Sequence, residues 1–113
     1  MTDSVTVERT DDILWVRLAA PATRNAQSPA LWRELARIGE TLPVDVRAVI
    51  LAADGPSFSA GLDRRMFTPE GIPGEGSMLG FAALPPEELD DLIAQFQRAF
   101  LWWRRCSVPT IAA

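Results

Sequence analysis

Apolar and polar positions alternate at the start of the chain. Val5 and Val7, then Ile13-Leu14-Trp15-Val16-Arg17-Leu18, are mostly β-branched or apolar, with Thr10-Asp11-Asp12 between them. This predicts a β-hairpin with Leu14, Val16 and Leu18 on one face. Pro21 ends the second strand, and Arg24-Asn25-Ala26-Gln27 is a polar connection. The period then changes. Ser28-Pro29 offers an N-cap and a first-turn proline. Leu31, Leu35, Ile38 and Leu42 recur behind it at helical spacing, so 29–42 is predicted to be an amphipathic helix stopped by Pro43.

Residues 46–53 are apolar except for Arg47 and are bounded by Pro43 and by Asp54-Gly55-Pro56. So short a run reads as a strand buried on both faces, and strand, helix, strand in this order suggests a right-handed crossover onto a parallel neighbour. Residues 57–67 follow as a tight turn running into a short helix. Residues 68–85 are rich in Gly and Pro and show no regular period. A connection of that length is a lid, a binding loop or a solvated insertion; Ile72, Met78, Leu79 and Phe81 favour partial packing, and both readings stand. Over 86–105 the stripe Leu89, Leu92, Ile93, Phe96, Phe100 and Trp103 predicts a long amphipathic helix. Its acids lie early and its arginines late, which complements the helix dipole. Residues 107–113 resemble the opening of another buried strand.

Composition narrows the chemistry. The 113 residues are 48% hydrophobic and 23% charged, as in one globular domain. No apolar stretch approaches the ~20 residues of a membrane span, and Met1-Thr2-Asp3-Ser4 lacks the basic, then apolar, pattern of a secretory leader. The single Cys106 cannot form an internal disulfide, which agrees with a cytoplasmic location. His, Tyr and Lys are absent, and all 11 basic residues are Arg. Histidine acid/base catalysis, a Schiff-base lysine and a P-loop lysine are therefore excluded within this chain. One cysteine without histidine supplies no zinc site, so no metal is expected. A net charge of -4 argues against nucleic acid as partner. Any bound anion must be held by a few placed arginines and backbone amides.

The stretch best suited to chemistry is Phe58-Ser59-Ala60-Gly61-Leu62-Asp63, directly after a strand. Ligands of open α/β sheets bind where strand C-termini give way to loops. Ala60 and Gly61 are small enough for a ligand to approach the backbone. If Asp63 caps the helix that follows, the amides around Leu62 point outward. Such amides suit an oxyanion hole, in which one donor is worth ~3–4 kcal/mol. Alone, Ala-Gly-x-Asp is a short pattern that an ordinary strand-to-helix turn also satisfies.

The order of segments is more specific. The hairpin, Arg24-Asn25-Ala26, the strand Arg47-Ala48-Val49-Ile50-Leu51, the turn Phe58-Ser59-Ala60-Gly61-Leu62-Asp63, a helix, and Val108-Pro109-Thr110-Ile111-Ala112-Ala113 follow one another. In this the chain resembles the N-terminal part of the crotonase superfamily, the enoyl-CoA hydratase/isomerase proteins. The resemblance implies an α/β fold, part of the crotonase-like (ClpP/crotonase) spiral of ββα units, over 1–113. It implies that the Leu62 N–H donates to a thioester carbonyl, and that Ala60, Gly61, Leu62, Asp63, Arg64 and Arg65 lie along coenzyme A, with Arg24 near its phosphates. Arg24, Arg64 and Arg65 also read as solvated surface charges. Residues 68–85 would help to wall the acyl pocket.

The partner implied is an acyl-CoA thioester, with coenzyme A entering as part of the substrate and no separate cofactor. The reaction implied for the full-length family is enolate stabilisation, by default hydration of a 2-enoyl-CoA, in homotrimers or hexamers. The family's second oxyanion turn, its acid/base carboxylates and its C-terminal helices have no counterpart in these residues. Asp63, Glu70 and Glu75 are not expected to replace those carboxylates. The alternative is a catalytically inactive fragment that self-associates, binds a partner through Trp102-Trp103 and 108–113, or binds acyl-CoA without turnover.

Overall fold

Val5–Thr10 (β1) and Ile13–Leu18 (β2) pair antiparallel, with Val7 opposite Val16 and Asp11 at φ 55° in the turn between them. The coordinates are a computed structural model that describes residues 4–113. The reading of Met1, Thr2 and Asp3 as free of a leader pattern falls outside those residues. Pro29–Glu40 (α1) starts as expected, with the Ser28 side chain accepting from the Leu31 N–H. It stops two residues before Leu42, because the Thr41 N–H closes onto the carbonyls of Arg37 and Ile38.

Ala48–Ala53 (β3) lies parallel to β2, with Leu14 opposite Val49 and Val16 opposite Leu51. Thr110–Ala112 (β4) lies parallel to β3, giving one sheet in the order β1-β2-β3-β4. Alternation in two aligned strands puts Leu14, Val16, Leu18, Val49 and Leu51 on one face. Leu31, Leu35 and Ile38 of α1 cover it, joined by Ala99 of Pro86–Arg105 (α3). Val16 and Val49 are fully buried and Leu31 is 1% exposed. Within β3 only Val49 and Ala52 are buried. The expectation of burial on both faces holds only in part, because both long helices pack on the same side.

Helix α3 meets α1 through small residues facing large ones. A Cβ at Gly39 would lie 2.3 Å from Trp102 Cγ, and the Trp102 Nε1–H donates to the Leu35 carbonyl at 2.9 Å. Ala99 is the one residue of α3 that is fully buried. The predicted stripe is therefore only half covered: Ile93 and Phe100 are 45% and 46% exposed. The segment 68–85 is more ordered than its composition suggests. It contains Met78–Ala82 (α2), capped by Ser77, whose hydroxyl accepts from the Gly80 N–H. Ile72 and Ser77 are buried and the Phe81 ring packs on Phe96, whereas Leu79 is exposed. Partial packing is what this loop does.

The strand expected at 107–113 forms but is not buried, since Ile111 is 51% exposed. No helix among the described residues is long and apolar enough to cross a membrane.

Candidate functional site

Strands β2, β3 and β4 run parallel, so their C-terminal ends share one edge of the sheet. Two connections meet there: 20–27, between β2 and α1, and 54–63, after β3. They are laced together by main-chain bonds. The Ala60 N–H donates to the Arg24 carbonyl, the Gln27 N–H to the Gly61 carbonyl, and the Asp63 N–H to the Gln27 carbonyl, each at 2.8 Å. The Gly61 N–H is taken by the Ser59 hydroxyl at 3.2 Å. This pairing of Gln27 with Leu62 is a short parallel bridge. Backbone groups of adjacent residues in extended chain point to opposite sides, so the Leu62 N–H faces away from 24–27. Among the described residues it has no acceptor.

Gly61 adopts φ 90° with open space where a Cβ would be. That left-handed turn favours glycine and lets Leu62 present its amide. Asp63 then caps a 3₁₀ turn over Arg64–Phe67, its carboxylate accepting from the Arg65 N–H at 3.0 Å. Met66 of that turn is fully buried and pins it to the body of the protein.

A cleft of about 580 Å³ opens over this ledge, lined by Thr23, Arg24, Ala60, Leu62, Asp63 and Arg64 among others. Arg65 also lines it. Of the residues singled out from the sequence, only Gly61 contributes no wall; it shapes the ledge through its backbone. Arg65 grips Asp63 with two contacts, Nη2 to Oδ2 at 2.8 Å and Nε to Oδ1 at 3.1 Å. The guanidinium hydrogen bond holds the Asp63 carboxyl below its usual range, against partial burial, which pushes the other way. Asp63 is therefore an ionised cap with its oxygens engaged, and it is the single carboxylate lining the cleft among the described residues. A positive rim in an acidic chain, next to an amide without an acceptor, is an arrangement for a ligand that is anionic at one end and carries a carbonyl at the other.

No family model matches the chain. Among curated proteins it is 34% identical to the mitochondrial Delta(3,5)-Delta(2,4)-dienoyl-CoA isomerase of Mus musculus, over 89% of this chain and 31% of that protein. It is also 34% identical to hydroxycinnamoyl-CoA hydratase-lyase of Pseudomonas fluorescens, over 96% of this chain and 37% of that protein. A solved structure from Thermobifida fusca YX, described as an enoyl-CoA hydratase, superposes with a TM-score of 0.85 at 38% identity, covering 96% of this chain and 40% of its own. The same protein in complex with acetoacetyl-CoA gives 0.83 at 40% identity. The chain is a partial crotonase-family protein. It spans about a third of the length of the curated relatives it matches, and its four-stranded sheet with flanking helices is an incomplete crotonase fold.

Within this crotonase-family segment, Asn25 is the important residue that the polar-connection reading overlooked. It is 2% exposed, and its side chain bonds three backbone groups on two segments. Beyond its place in the Arg24-Asn25-Ala26 segment, its signal in the sequence is residue type, since Asn tolerates the left-handed backbone it adopts here at φ 54°. Glu75, set aside as a base, caps α1 through a 2.7 Å bond from the Ala30 N–H to its carboxylate. Glu70 is exposed, and neither carboxylate lines the cleft.

Proposed function

We propose that this chain supplies one half of an acyl-CoA thioester site. Arg24, Arg64 and Arg65 contact the phosphates of coenzyme A, Ala60, Gly61 and Asp63 line its path, and the Leu62 N–H donates to the thioester carbonyl. The observation that carries this reading is the Leu62 amide, unpaired on a glycine-shaped ledge that arginines surround. Relatives that act on CoA thioesters by name, and one solved in complex with acetoacetyl-CoA, support it.

A single amide donor stabilises developing negative charge on the carbonyl oxygen, as an enolate of the thioester requires. Completion of the reaction needs a second donor and a group to move the proton. Asp63 is poorly suited to that task, being held ionised by Arg65 and spent on its cap. We assign the whole protein syn hydration of a 2-enoyl-CoA, and the 113-residue chain binding without turnover. Titration of this chain with acetoacetyl-CoA, followed by calorimetry and by the Leu62 amide resonance, tests the reading. Saturable binding with a shift at Leu62 is expected, weakened about tenfold in Arg24→Ala. No shift at Leu62 up to about 1 mM ligand, a level at which even weak complexes form, overturns it.

A second reading, an interaction module, draws on a different feature. Met78, Phe81, Leu89, Ile93, Phe96 and Phe100 line an apolar groove of about 360 Å³ between α2 and α3. Exposed apolar surface of this kind marks an interface. A binding-competent cleft and a covered groove are compatible, because the two share no residue, and the CoA titration tests the cleft alone.

A further inference from the structure

We propose that Asn25 is a positioning residue of the CoA cleft: it locks the connection carrying Arg24 to the ledge carrying Leu62, so that cation and amide face one ligand. This rests on the thioester-site reading above.

The two connections come from different strands and are joined by main-chain bonds at Arg24 and Gln27; Asn25 adds a buried side-chain link between the start of each. Asn25 sits between them with every polar atom of its side chain used. Its Oδ1 accepts from the Ala20 N–H at 2.9 Å, within its own connection. Its Nδ2 donates across to the carbonyls of Asp54 at 2.9 Å and Ser57 at 3.0 Å. Its backbone carbonyl accepts from the Ser59 hydroxyl at 2.8 Å, and that hydroxyl is also the acceptor for the Gly61 N–H. One buried residue thus reaches the start of the second connection by its amide and the ledge by way of Ser59.

The backbone supports the same assignment. Arg24 and Asn25 both take φ 54°, a conformation that costs an L-residue and persists only where surrounding contacts over-determine it. Here the contacts are the five hydrogen bonds of Asn25, the bond from its own N–H to the Ala20 carbonyl included, with the bonds from the Arg24 N–H to the Pro21 carbonyl and from the Ala60 N–H to the Arg24 carbonyl. These left-handed residues turn the chain so that Arg24 lines the cleft while its carbonyl holds Ala60. A donor and an acceptor are both required of the side chain. Leu cannot supply either, and Asp keeps the acceptor but sets a carboxylate against two carbonyls.

The test uses the whole chain and three variants. Asn25→Asp removes the cross-link, Asn25→Gly keeps the left-handed backbone without the amide, and Ile38→Val lowers stability from a core site remote from the cleft. Acetoacetyl-CoA affinity and backbone amide spectra are measured for each. Asn25→Asp and Asn25→Gly are both expected to lose about tenfold or more in affinity. Their amide shifts should concentrate at Ala60–Asp63 and spare Val16 and Val49. Ile38→Val should bind as the parent does. Affinity within about twofold of the parent in Asn25→Asp, a change well inside the value of one charged hydrogen bond, overturns the proposal. So does an equal loss in Ile38→Val, or loss of exchange protection at Val16 and Val49 in the Asn25 variants, since either makes Asn25 a general structural residue. If the parent chain binds no acetoacetyl-CoA, the thioester-site reading fails. The amide spectra still judge the lock: a spectrum of Asn25→Asp unchanged at Ala60–Asp63 sinks it.

Discussion

The two halves of this chain are equally apolar in pattern and unequal in burial. From β1 to β3, most of the residues that alternation and helical period assign inward are covered: Leu14, Val16, Leu18, Leu31, Leu35, Ile38 and Val49 are all at or below 5% exposure, with Val7 on the outer strand the exception at 44%. From α2 to β4 the assigned residues stay open, with Met78, Leu79, Ile93, Phe100 and Ile111 each more than two-fifths exposed. An amphipathic pattern states which face wants cover and not whether cover is present. The first half obtains it by folding helix onto sheet, and the second half has only one side of α3 satisfied, at Ala99 and Trp102.

The sharpest way to break this contrast is a pair of substitutions of the same residue type. Leu31→Ala empties a fully packed site between helix and sheet and is expected to cost about 3 kcal/mol. Leu79→Ser, at 68% exposure on α2, is expected to stay within about 0.5 kcal/mol and to reduce self-association. Denaturant midpoints measured side by side decide it. Comparable losses at the two sites would mean that the second half is as tightly packed as the first.

The seam between the halves comes next in size. Gly39→Ala would bring its new carbon to within 2.3 Å of the Trp102 ring, which is rigid and held by its bond to the Leu35 carbonyl. Helix propensity favours alanine by about 1 kcal/mol, and overpacking against a fixed ring costs about 1–3 kcal/mol. The net expectation is loss of stability with a change in tryptophan fluorescence, because Trp102 must move. A raised melting temperature with unaltered emission would show that α3 slides freely on α1.

What could be read from the residues alone follows the same division. The hairpin, the cap at Ser28, the parallel strand and the long helix are local, set by period, proline and capping chemistry within a few residues. The ledge was legible for the same reason, since Gly61 and Asp63 announce a left-handed turn and a cap. All the flagged residues except Gly61 came together around one cleft. Asn25 was not legible as a lock, because its partners lie at Ala20, Asp54 and Ser57, and only the fold brings them within reach. Glu75 escaped likewise: its partner is the N-terminus of a helix far away in sequence. The small helix α2 was hidden by glycines and prolines that punctuate the segment without preventing its order.

The smallest effect belongs to the rim of the cleft and tests how locally that rim is held. The Asp63 carboxyl is kept below its usual range chiefly by the Arg65 guanidinium. A carboxylate with a lowered folded value contributes stability above its unfolded value and loses it as pH falls through the folded one. The cap should therefore survive acidification through the ordinary carboxylate range, near 3.8, and fail only below it. Arg65→Gln should move the Asp63 titration upward, so that the 3₁₀ turn loosens at higher pH, as carboxyl-detected NMR would record. Because the Arg65 side chain is 60% exposed and its pair is screened by water, the global denaturation midpoint near neutrality should hardly move. A large drop in that midpoint would mean that the rim is coupled to the buried core of the first half. An unmoved Asp63 titration would mean that the cap, and not the arginine, sets its charge.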